Sequence, residues 1–112
     1  MYKLEFSVTA QKDMDDLGDY ISNTLLNPSA ALRLIRQIKT AVFKLSDFPE
    51  MGTLLKAEEN NVGYRYLVCG SYMVFYHISD SSVQIDRVLY GRRNYVSLLF
   101  DGEQIETDNP EE

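Results

Sequence analysis

From Tyr2 to Phe6 the apolar positions alternate, with Tyr2, Leu4 and Phe6 on one side and Lys3 and Glu5 on the other, which predicts a short strand. The period then lengthens. Met14, Leu17, Ile21 and Leu25 recur at helical spacing and predict a helix with a single buried stripe. Ser7 or Thr9 can cap this helix, and Asp13, Asp15 and Asp16 favour its positive N-terminal end. Asn27-Pro28 marks a restart, because asparagine caps well and proline at the first helical position has no N–H to lose. A second apolar face follows, made of Ala31, Leu34, Ile35, Ile38, Ala41, Val42 and Leu45, and Pro49 stops that helix. Residues 49–63 show no strong period and read as a loop. From Tyr64 the alternation returns and predicts three strands, Tyr64–Val68, Tyr72–Ile78 and Val83–Tyr90, joined by two short links.

The order is therefore strand, helix, helix and three strands, an α+β layout. The short link between the helices calls for an antiparallel hairpin, packed on one face of a small, mainly antiparallel sheet that the meander completes. Alternation places Tyr72, Val74, Tyr76 and Ile78 on one side of their strand and Met73, Phe75 and His77 on the other. The first set is expected to meet the helices. The second set is left on the far face, either packed under the loop or tail, or exposed for use.

At 112 residues and 45% apolar content the chain suits one domain with one core. No stretch approaches the roughly 18 to 20 apolar residues of a membrane span, and Met-Tyr-Lys-Leu-Glu-Phe lacks the apolar block of a signal peptide. Cys69 is the single cysteine, which rules out an intrachain disulfide and fits a reducing, cytoplasmic setting. Net charge is −6, and its location is informative. Residues 101–112 hold six acids and no base; taking those six from seventeen leaves eleven acids against eleven Lys and Arg in residues 1–100. The expectation is a folded domain over 1–100 with a flexible acidic tail over 101–112 that either aids solubility or folds back over arginines. The strongly basic balance typical of a nucleic-acid binder is missing.

Candidate chemistry gathers in the C-terminal meander. Arg65 stands near its start and Arg92 and Arg93 just past its end, among tyrosines. An antiparallel meander can bring such ends together, and paired guanidiniums suit a phosphate or an acidic partner. One His and one Cys cannot form a zinc site from N and S ligands, and no glycine-rich nucleotide loop is present, so neither metal nor cofactor is expected.

The helix-pair fragments A-x-x-D-M-D-D-L-G-D-Y-I, A-A-L-R-L-I-x-x-I and F-K-L-x-x-F-P-x-x-G resemble the RelE/ParE superfamily of bacterial toxins. So do Y-R-Y-L, S-Y-M-V-F-Y-H-I and V-Q-I-D-R-V-L-Y-G-R-R-N-Y, and the likeness spans residues 2–95. The resemblance implies a toxin of a two-gene type II toxin–antitoxin module, held inactive by a cognate antitoxin that wraps around it. RelE-like members cut messenger RNA at the ribosome without a metal, and ParE-like members poison DNA gyrase. Carried over residue by residue, it points to Arg65 and Arg93, with Arg92 beside it, for phosphate or partner binding. It points to Tyr95, with His77 or Tyr90, for proton transfer. Two positions depart from the pattern: Met73 stands where the family has an arginine, and Tyr90 where many members have a histidine. Three functions stay open: a ribosome-dependent endoribonuclease, the favoured expectation; a gyrase inhibitor; and a member that only binds its antitoxin.

Overall fold

The computed structural model of the chain describes residues 1–55 and 63–91. Strand β1 (Lys3–Phe6) leads into helix α1 (Val8–Asp19), a π-helical turn (Tyr20–Thr24) and helix α2 (Pro28–Lys44). Strands β2 (Thr53–Leu54), β3 (Tyr64–Cys69), β4 (Tyr72–Ser79) and β5 (Ser82–Tyr90) follow. They form one five-stranded sheet in the order β1-β5-β4-β3-β2, antiparallel except where β1 runs parallel to β5. The expected α+β architecture, a helical pair on a sheet completed by a three-strand meander, is the one observed.

The helix starts follow from their caps. The Ser7 hydroxyl accepts from the Ala10 N–H at 2.9 Å, and the Asn27 side chain accepts from Ala30 at 3.1 Å ahead of Pro28. Ser7 does more than cap. Its hydroxyl also donates to the Asp86 carbonyl at 3.1 Å, which ties the start of α1 to β5. At the other end of the hairpin, the Tyr2 N–H donates to Ser46 O, and the Ser46 hydroxyl donates back to Tyr2 O. These bonds hold β1 to the turn that ends α2.

The core lies between the helices and one face of the sheet. Met14, Leu17 and Ile21 from the first helical segment, Ala31, Ile38 and Val42 from α2, and Val74, Tyr76, Val83, Ile85 and Val88 from the sheet are all buried there. Tyr72 and Ile78 pack against the same cluster, so the assignment of faces in β4 holds. Leu25 is the exception to its stripe. α1 gives way to a wider π turn, which rotates Leu25 out of line and leaves it half exposed. The reading of Asp13, Asp15 and Asp16 as N-terminal dipole partners also needs correction: α1 begins at Val8, so all three lie beyond its first turn, and Asp13 serves the sheet instead. The short strand β2 was expected to be loop, since two residues are too few to show a period.

Candidate functional site

The face of the sheet turned away from the helices carries a second, smaller apolar cluster: Leu55, Met73 and Phe75, with Tyr64, Tyr66 and Leu89 packed on it. Directly opposed residues in a ladder share a face. Tyr64 opposes His77 and Tyr66 opposes Phe75, so both tyrosines stand on this open face. The Tyr66 and Phe75 rings lie 6.1 Å apart, and those of Tyr64 and His77 lie 5.2 Å apart at 40°. Met73, at the position where the resemblance implies an arginine, is part of the apolar floor and 7% exposed.

A polar group sits beside that floor. His77 Nδ1 and Asp86 Oδ2 are 2.8 Å apart, with both side chains largely but not fully covered. The contact exists because the β4–β5 ladder slips between Phe75 and Tyr76: Tyr76 opposes Ile85 while Phe75 opposes Arg87. Asp86 is the extra residue of this bulge and has no partner across the ladder. Burial pushes its carboxyl above the ordinary range, and the hydrogen bond from His77 pulls in the other direction. Burial and the nearby Asp86 charge together raise the Tyr64 phenol. Next along β5, Gln84 Nε2 donates to Glu5 Oε1 at 2.8 Å, and this bond is the main reason that Glu5 titrates low. With Asp86 orienting Nδ1, the second ring nitrogen of His77 could take or give a proton.

Arg65 does not belong to this group. It opposes Tyr76, whose side chain is in the helix-side core, so Arg65 lies on the helix side of β3 while His77 lies on the other. Its guanidinium donates to the Gly52 carbonyl at 2.9 Å and to the Glu50 carbonyl at 3.2 Å. Tyr76 grips the same segment: its hydroxyl donates to Pro49 O at 2.8 Å and accepts from the Gly52 N–H at 2.9 Å. A Cβ at position 52 would meet that hydroxyl at 2.5 Å and Tyr66 O at 2.8 Å, so only glycine fits. The F-P-x-x-G motif is thus explained by its own chain path. Arg65 and Tyr76 clamp Pro49–Gly52 against the edge of the sheet.

Tyr90 opposes Tyr72 on the helix side, their rings 5.4 Å apart and close to perpendicular. It is exposed, at the rim of a cleft of about 480 Å³ that wraps the Gly70-Ser71 end of the sheet and includes Tyr66, Val68 and Met73. Tyr90 and His77 are on different faces too. Arg92, Arg93, Tyr95 and the acidic segment 101–112 lie outside the described residues. Among the described residues, no group of three His, Cys, Asp or Glu side chains could hold a metal ion.

Sequence reasoning did not give three residues the roles they have here. Asp86 and Tyr64 complete the polar group around His77. Asp13 accepts from Arg87 Nε at 2.8 Å, from a second guanidinium nitrogen at 3.0 Å, and from the Val88 N–H at 2.9 Å. β1 stops at Phe6, so beyond Ile85 the edge of β5 has no strand beside it, and the Asp13 carboxylate fills that place. One signal was available. The inward positions of β5 run Val83, Ile85, Val88, and the change from two-residue to three-residue spacing marks the bulge at Asp86.

The family model for the ParE toxin of the type II toxin–antitoxin system parDE matches residues 4–95. The chain belongs to this toxin family. It is 29% identical over 93 residues to Toxin RelE2 of Caulobacter vibrioides, covering 83% of this chain and 99% of that one. Two solved structures align over most of the fold. A chain of the chromosomal ParDE toxin–antitoxin system of P. aeruginosa has a TM-score of 0.69 at 22% identity, covering 82% of this chain and 98% of that one. A chain of the RelBE2 toxin–antitoxin complex of Mycobacterium tuberculosis has a TM-score of 0.59 at 27% identity, covering 80% and 96%. This ParE-family chain is the toxin component of a type II system, as the resemblance implied. No helix among its described residues is long and apolar enough to cross a membrane.

Proposed function

We propose that this toxin acts by protein contact on DNA gyrase in the cytoplasm and is neutralised by a cognate antitoxin. The observation that carries this reading is the separation of Arg65 from His77. Metal-free cleavage of RNA needs a phosphate clamp and a proton-transfer group at one scissile bond, within hydrogen-bond reach. Among the described residues the sheet stands between the two candidates for these roles, and Arg65 is engaged by the carbonyls of Glu50 and Gly52. A contact inhibitor needs no such convergence. The match to the ParE toxin model supports the same target class, and the toxin–antitoxin complexes among its structural neighbours support the partner.

Induced expression in a bacterial host tests the proposal. The expected outcome is a DNA-damage response with full-length messages, together with loss of supercoiling by purified gyrase mixed with the toxin. Messages cut at ribosome-bound codons, with gyrase unaffected, would overturn it. Unimpaired growth would leave only antitoxin binding.

A second reading, ribosome-dependent mRNA cleavage, is favoured by the His77–Asp86 pair and by the likeness to Toxin RelE2. On this reading His77 transfers the proton, Arg93 with Arg92 holds the phosphate, and Tyr95 assists, while Tyr90, on the other face from His77, takes no part. His77→Ala distinguishes the two. It should abolish message cutting on the second reading and leave gyrase inhibition intact on the first.

A further inference from the structure

The described residues contain eight bases, and they divide sharply. Lys3, Lys12 and Arg87 each pair with a carboxylate, and Arg65 is bound to backbone carbonyls. The remaining four, Arg33, Arg36, Lys39 and Lys44, all belong to α2, are exposed, and pair with no acid among the described residues. α2 itself contains no Asp or Glu. Arg33, Arg36 and Lys44, with Gln37, Thr40 and Ala41, line a shallow groove of about 360 Å³ along its outer side. The helical period makes this a continuous stripe, since positions 33, 36–37, 40 and 44 fall on one face.

We propose that this groove is the docking site of the chain's own acidic segment, residues 101–112. Its sequence, DGEQIETDNPEE, carries six acids and no base, the complement of the groove. The tether is long compared with the helix it would lie along. Gly91 follows Tyr90, which packs against Tyr72 on the helix side of the sheet. Ten residues from Gly91 to Asp101 can extend by up to about 35 Å, and α2 is only about 25 Å long. Tethering sets a millimolar local concentration, so a weak contact between opposite charges is enough to populate the docked state. Any acidic partner using the outer side of α2 must then displace the tail. The inference stands apart from the choice between gyrase and message as target, since neither enters it.

Paramagnetic NMR on the full-length chain tests it. A spin label at Thr107→Cys leaves all six tail acids in place, and Cys69 is buried, so the introduced thiol is the reactive one. At low ionic strength, amide signals of residues 33–44 should lose intensity. They should regain it near 1 M salt, where screening acts within about 3 Å. Arg33→Gln with Arg36→Gln should abolish the loss while the α2 chemical shifts persist. If that variant is unstable, Asp108→Asn with Glu111→Gln and Glu112→Gln tests the same contact from the tail. Intensity losses that are absent, confined to other surfaces, unchanged by salt or by both variants, or removed by dilution into unlabelled chain would overturn docking in cis.

Discussion

The two faces of one sheet are built to different rules. On the helix side, Tyr76, Val74, Val83 and Ile85 are completely buried against α1 and α2, and the polar atoms there serve chain path: the Tyr76 hydroxyl and the Arg65 guanidinium both hold Pro49–Gly52. Among the described residues of the open side, Leu55, Met73 and Phe75 are buried, beside a His–Asp pair and two tyrosines that remain partly accessible. The contrast shows where this fold holds its stability and where its side chains stay accessible. A side chain on the helix face answers to a packed core, whereas several on the open face keep access to solvent.

That contrast can be broken or sharpened by substitution. The largest effect is expected at Ile38, fully buried beneath the sheet: Ile38→Ala should cost about 2–5 kcal/mol in urea unfolding, from lost transfer energy and the cavity left behind. Asp13→Ala removes the acceptor for Arg87 and leaves the Val88 N–H without it, for a loss of about 2–3 kcal/mol. Gly52→Ala forces the new methyl into the Tyr76 hydroxyl and the Tyr66 carbonyl, an overpacking cost of about 1–3 kcal/mol. A Gly52→Ala protein as stable as the parent would show that the clamp at the loop is dispensable.

The smallest effect is expected on the open face, where Asp86→Asn should change stability at neutral pH by less than about 1 kcal/mol. Its pH dependence is the sharper test. Burial raises the Asp86 carboxyl above its unfolded value, so the folded chain holds this proton more tightly than the unfolded chain does. The carboxylate therefore weakens the fold above its folded pKa, and that penalty is relieved as pH falls through it. The parent should gain stability relative to Asp86→Asn over that acid window, and His77→Ala should raise the Asp86 titration further in carboxyl-resolved NMR. A parent that loses stability relative to Asp86→Asn over this window would contradict the assignment.

Much of this architecture was readable because it follows simple periods. The strands from Tyr64, Tyr72 and Val83 lie within a residue of where alternation puts them, and Ser7 and Asn27 are caps of the expected type. What escaped has no period. Leu25 leaves its stripe because a π turn adds width to the helix, which no apolar spacing announces. Arg65 was hard to place because a register change of one residue switches faces in a strand, and the Arg65–Tyr76 register is a tertiary fact. The pairing of His77 with Asp86 depends on the bulge, and the role of Asp13 on where β1 stops. Each of these depends on elements far apart in sequence.

The parallel pairing of β1 with β5 has a consequence for synthesis. Leu4 and Phe6 take their partners from Val83 and Ile85, which leave the ribosome 79 residues later. At bacterial elongation speeds of about 5–20 residues per second, the first strand waits roughly 4 to 16 seconds without its neighbour. The sheet cannot be completed on a half-made chain. For those seconds the exposed edge of the first strand must be kept from pairing with anything else, which the short length of β1, four residues, favours.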